Sequence, residues 1–141
     1  MATPTYLRGR PVPRTPDDLA AHRCIFYSRR AASHEWAFES ENGRHVALIR
    51  GPLLVDDADA MEEAVRHHLG IAVLPEWNAV PGLQNGQMES LLPDFSIAGL
   101  PLHAVYPEMH WMSLRARSFL DLLIKRADRF TTPAPASNDS N

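Results

Sequence analysis

The order of apolar and polar positions divides the chain into short strands and helices. Thr15-Pro16-Asp17-Asp18 opens a short helix to His22: Thr15 can cap it, Pro16 suits its first position, and the aspartates complement its N-terminus. Cys24-Ile25-Phe26-Tyr27 predicts a buried strand. Trp36-Ala37-Phe38-Glu39 alternates, Glu41-Asn42-Gly43-Arg44 interrupts, and His45–Ile49 resumes. Asn42-Gly43 between two such runs predicts a hairpin. Leu53-Leu54-Val55 predicts another strand. Asp56-Asp57-Ala58-Asp59 then opens a helix to His68, with Ala60, Met61, Ala64, Val65 and His68 at helical spacing. Leu69-Gly70 ends it, and Ile71–Pro75 is a continuous apolar strand. A helix between two apolar strands is the βαβ pattern of a sheet covered by helices.

Downstream, Pro75–Leu83 predicts a short helix running into a turn at Asn85-Gly86. Met88–Leu92 predicts a strand stopped by Pro93, and Leu102–Tyr106 a further strand. From Ser113 to Arg129, Ala116, Phe119, Leu120, Leu123, Ala127 and Phe130 share one helical face. Ser113 caps that helix, and Asp121 and Lys125 are spaced for an i,i+4 pair. Thr131–Asn141 lacks large apolar residues and reads as a disordered tail.

Composition narrows the class. The chain has 141 residues, 45% hydrophobic and 22% charged, ordinary usage for a globular domain with its own core. A net charge of -3 and a pI near 6.1 argue against a nucleic-acid surface in this piece. A single cysteine, Cys24, excludes an internal disulfide framework and fits a reducing cytoplasm. Met1–Arg14 has no apolar core of the kind a signal peptide needs. Apolar runs such as Leu69–Pro75 are too short to span a bilayer. The expectation is a cytoplasmic chain with no membrane contact.

Catalytic chemistry finds no foothold. His67 and His68 are adjacent, so on a helix they diverge and cannot chelate together; His103 and His110 fall on a strand and a loop. No metal and no cofactor is expected. Cys24 sits in an apolar strand, where a thiol behaves as a small hydrophobe. Gly-x-Ser-x-Gly elbows, phosphate loops and dinucleotide fingerprints are absent from the sequence. Phe26, Trp36 and Trp77 can line an apolar pocket or fill the core.

Four stretches, in order, carry a resemblance. They are Pro4-Thr5-Tyr6-Leu7 with Gly9, Pro11, Thr15–Leu19, His22 and Cys24; Trp36-Ala37-Phe38 with Gly43; Gly51-Pro52-Leu53 with Asp57, Ala60 and Leu69–Pro75; and Pro101–Pro107 leading into Arg115–Leu123. Each is weak alone. In this order and spacing the chain resembles the effector-binding domain of LysR-type transcriptional regulators. It departs from the family pattern at Asp56, where the family has Asn, at His68, where it has Gly, and near His110, where it has Arg.

The resemblance implies an α/β, periplasmic-binding-protein-like fold of type 2, with a ligand between two lobes. Residues 5–98 correspond to lobe two, almost whole. Residues 1–4 match a crossover strand, and 100–130 the closing strand and helix of lobe one; 131–141 form the tail. The implied function is small-molecule sensing by a regulator, apart from its helix-turn-helix DNA-binding domain. Its partners would be a metabolite effector, with anions among the candidates, and further copies of the chain; DNA would be reached only through the N-terminal domain that this stretch does not include. Two other readings stay open: a standalone solute- or partner-binding protein on the same fold, and an inactive truncated gene product. The implied ligand contacts are Thr3 and Thr5 beside the hinge, Phe26, and Asp56, Asp57 and Ala58 where a helix N-terminus faces the cleft. For the aspartates, helix capping is the competing role.

Overall fold

The computed structural model describes residues 1–28, 34–97, 105 and 113–126. It divides into two units, Met1–Gly99 and Leu100–Asn141.

The first unit is built on parallel strands. β1 (Ile25–Tyr27) pairs in parallel with β4 (Leu53–Val55), Ile25 opposite Leu53 and Tyr27 opposite Val55. On the other side of β1, Cys24 bridges Ile71, also in parallel. Ile25 N–H donates to the Ile71 carbonyl and Ile71 N–H to that of Arg23, both at 2.8 Å. The first residues extend this sheet: Ala72 N–H donates to the Met1 carbonyl at 3.0 Å, and Ala2 forms an antiparallel bridge to Glu89. The runs expected at Leu53–Val55 and Ile71–Leu74 therefore flank one strand in one layer.

Alternation shows why these runs are wholly apolar. Cys24 and Phe26 face one core cluster, with Trp36, Phe38, Leu19 and Ile49. Ile25 faces the other, with Met61, Val65, Ala79 and Met88. Ile71 and Val73 pack on the first cluster, and Ala72 and Leu74 on the second. Side chains of an extended chain point to opposite faces in turn, so a strand covered on both faces needs apolar residues throughout. Beyond Ile71 the segment keeps this alternation without forming a regular ladder.

Helix α2 (Ala58–Arg66) and helix α3 (Glu76–Gln84) cover one face. In α2 the inward residues are Met61, Ala64 and Val65. Ala60 and His68, expected on that face, are exposed. The helix stops at Arg66, so His68 leaves its register and takes φ 60°. α3 ends at Asn85 and is followed by Gly86 at φ 72°, the turn the sequence predicts.

A second sheet covers the other face, with order β3-β2-β5. β2 (Glu35–Ser40) and β3 (Gly43–Leu48) form the expected hairpin, Ser40 opposite Gly43. Its loop is Glu41-Asn42, and Gly43 closes it at φ 100°, a conformation glycine adopts freely. β5 (Ser96–Ile97), which the pattern does not announce, pairs with β2 through Phe38 and Ile97.

Two expectations are corrected at the flanks. Met88–Leu92 forms no strand: only Glu89 bridges, and Leu92 at φ 57° turns the chain so that Phe95 N–H donates to its carbonyl. The expected crossover strand ends early, because Pro4–Leu7 is a short helix, α1, which Thr3 caps. The Thr15 segment does coil, as a 3-10 helix over Pro16–Ala21.

The second unit contributes α4 (Leu114–Lys125), capped by Ser113, whose Oγ accepts from Ala116 N–H at 3.3 Å. None of its residues is buried, and Phe119 is 62% exposed. Asp121 and Lys125 are not among the ion pairs of the described residues. The strand expected at Leu102–Tyr106, the positions Ala127 and Phe130, the histidines His103 and His110 and the tail at 131–141 lie outside the described residues, apart from exposed Val105.

Candidate functional site

Parallel strands bring their carboxyl ends to one edge. In the first unit these ends are Tyr27, Val55 and Leu74, and the chain leaves two of them directly into helices. α2 begins three residues after β4, and α3 begins at Glu76. Open α/β sheets hold ligands at this edge, because the strand ends and the helix N-termini there present free backbone groups.

Asp57 caps α2, its Oδ1 accepting from Ala60 N–H at 2.9 Å. Of the two readings for this residue, the structure shows the cap. Asp56 is exposed and Ala58 half-buried at the same edge. Asn78, 6% exposed, clamps the two helices: its Nδ2 donates to Asp59 Oδ1 at 2.9 Å and to Glu62 Oε2 at 3.0 Å. The Asn78 amide and Arg66, whose guanidinium lies 2.7 Å from Glu62, hold the Glu62 carboxyl below its ordinary range. Asn78 Oδ1 is buried with no hydrogen-bond partner among the described residues. Trp77, beside it, is 67% exposed.

The remaining expected contacts lie elsewhere. Thr3 is buried, and its hydroxyl accepts from Tyr6 N–H at 3.2 Å and meets His68 Nδ1 at 2.7 Å. His68 follows the C-terminal end of α2, so Thr3 and Asp57 stand at opposite ends of a nine-residue helix, about 14 Å long at 1.5 Å per residue. Thr5 is exposed on α1 rather than on an extended hinge. Phe26 is buried in the core, its ring edge-on to His34 at 5.0 Å. The structure thus gathers Asp56, Asp57 and Ala58 and separates them from Thr3. Sequence reasoning did not single out Asn78; a polar residue in the first turn of a predicted helix was the only signal.

Cys24 is buried, and burial pushes its thiol up to about 12, far from a thiolate at neutral pH. No helix among the described residues is long and apolar enough to cross a membrane.

This geometry is that of an α/β, periplasmic-binding-protein-like domain. The sequence pattern of the LysR substrate binding domain matches residues 1–128, and the chain belongs to that family. It is 31% identical over 129 residues to the transcriptional regulator PtxR of Pseudomonas aeruginosa, covering 92% of this chain and 41% of that protein. With the uncharacterized regulator YcaN of Escherichia coli it shares 34% identity over 121 residues, covering 85% and 39%. The chain therefore spans about two fifths of the length of the curated relatives it matches. Among solved structures, the regulatory domain of CrgA from Neisseria meningitidis superposes with a TM-score of 0.72 at 25% identity, covering 89% of this chain and 61% of that one. The regulatory domain of AphB from Vibrio vulnificus, at 24% identity and a TM-score of 0.66 over 88% and 62% of the two chains, shares the fold.

Proposed function

We propose that the chain senses a small-molecule effector at the carboxyl edge of its parallel strands and serves a transcriptional regulator. The observation that carries this reading is the convergence of β1, β4, the Ile71–Leu74 segment and the N-termini of α2 and α3 on that edge. Asp56, Ala58 and exposed Trp77 are the contacts it offers. An anion there meets the Asp57 carboxylate in the place it would take, with Asp56 and Asp59 beside it. The edge therefore favours an effector that brings hydrogen-bond donors over one that presents a bare carboxylate.

In this reading residues 5–98 form one lobe, and 1–4 with 100–130 belong to the other. Effector binding would bias a two-state arrangement of a homo-oligomer, and DNA contact would fall to the helix-turn-helix part that the relatives' names carry. The role involves binding without bond making, in the cytoplasm.

A thermal-shift screen of polar metabolites tests it. The expected result is a compound that raises the melting temperature and loses at least tenfold in affinity on Trp77→Ala or Asp56→Asn. A screen without a stabilising compound, or a hit that ignores both substitutions, overturns the reading.

A further inference from the structure

A pocket lies at the opposite, amino edge of the sheet, where His22 and Arg23 lead into β1. Its volume is about 550 Å³, and it is lined by Pro11, Val12, Arg14, Asp18, Ala21 and His22. That volume lies within the range of small-molecule sites, and the mix of apolar walls with a few polar groups is their usual make-up.

The polar groups are held but not consumed. Asp18 Oδ2 accepts from Arg14 N–H at 2.9 Å and from Thr15 N–H at 2.8 Å. These bonds, with a further one from the Thr15 side chain and the nearby His22, hold its carboxyl below the ordinary range. The Arg14 guanidinium has no partner among the described residues, and it forms no ion pair with Asp18. His22 is 5% exposed, with Tyr6 Oη 3.5 Å from its Nδ1. That hydroxyl is anchored in turn by Arg23 N–H at 2.9 Å. That contact at Nδ1 is a long one, and Nε2 carries no hydrogen bond among the described residues.

We propose that this pocket binds a small zwitterion, an α-amino acid with an apolar side chain. Arg14 and the His22 ring take the carboxylate, Asp18 takes the ammonium, and Pro11, Val12 and Ala21 receive the side chain. A cation and a carboxylate that face one pocket without pairing can straddle a ligand carrying both charges. A ligand with one charge leaves one of them opposed by nothing.

Calorimetric titration of the full chain with L-phenylalanine tests this, beside phenethylamine, which lacks the carboxylate, and 3-phenylpropanoate, which lacks the amine. The expected order is phenylalanine tightest and both analogues at least tenfold weaker. Arg14→Gln, at an exposed position, should weaken phenylalanine about tenfold and leave phenethylamine unchanged, a loss of about 1.4 kcal/mol. Trp77→Ala, at the other edge, should change neither. Absence of phenylalanine binding at millimolar concentration overturns the proposal. So does equal binding of the three compounds, or indifference to Arg14→Gln.

Discussion

Thr3 Oγ1 and His68 Nδ1 meet at 2.7 Å across 65 residues of chain. The contact ties the first turn of the polypeptide to the end of α2. Thr3 Oγ1 also accepts from Tyr6 N–H, so one hydroxyl serves both the cap of α1 and the histidine. The φ of 60° at His68 is the left-handed conformation that glycine tolerates best.

This pair predicts a ranking. His68→Gly relieves about 1 kcal/mol of backbone strain while losing a hydrogen bond of similar size, so its stability should stay near wild type. His68→Ala keeps the strain and loses the bond, and Thr3→Val removes both cap and partner; each should cost about 1–2 kcal/mol. Chemical denaturation of both singles and the double variant measures the coupling. Additive losses would show that the contact carries no energy.

Gly51 is a second sharp test. A Cβ there would collide with the carbonyl of Cys24, a backbone atom that cannot swing away. Gly51→Ala should cost about 3 kcal/mol or more, with a collapse of the cooperative transition. Gly9→Ala, where φ is 74° but nothing lies within 4 Å, should cost only about 1 kcal/mol. Similar melting temperatures for the two variants would contradict the packing described.

Asp18 gives a pH dependence of definite sign. Its carboxyl titrates below its ordinary value because backbone N–H groups of Thr15 and Arg14 bind the charged form. The stability it contributes is present above the unfolded value, about 3.9, and is lost as pH falls through the lower folded one. Asp18→Asn should lower the melting temperature at pH 7, and the gap from wild type should close towards pH 2. A gap independent of pH refutes this origin.

The Cys24 thiol should resist alkylation in the native chain at pH 8 and react fully in denaturant. Its folded value of about 12 lies above the unfolded 9.0. Stability from the buried neutral thiol is therefore complete below pH 9 and lost as pH rises towards 12. Rapid labelling without denaturant would show that β1 is not packed as described.

α4 exposes Phe119, Leu122, Leu123 and Ile124, an apolar stripe that water covers poorly. Light scattering should show species heavier than a monomer, and Phe119→Glu with Leu123→Glu should reduce them. A clean wild-type monomer at high concentration contradicts this.

Much of the architecture was legible in the chain itself. The apolar runs at Cys24–Tyr27, Leu53–Val55 and Ile71–Leu74, the hairpin at Asn42-Gly43, the Asp57 cap and the Asn85-Gly86 turn all follow from local stereochemistry and from the two periodicities of side-chain direction. Contacts between distant segments were not written locally. Ser96–Ile97 is a strand only because β2 offers it an edge, and Met88–Leu92 is not one because Leu92 turns the chain. Thr3 went to the far end of α2 because Met1 pairs with Ala72 and Ala2 with Glu89. Asn78 became a clamp because α3 lies against Asp59 and Glu62. Pairing and packing energies between segments far apart in sequence decide such features, and no window of neighbouring residues contains them.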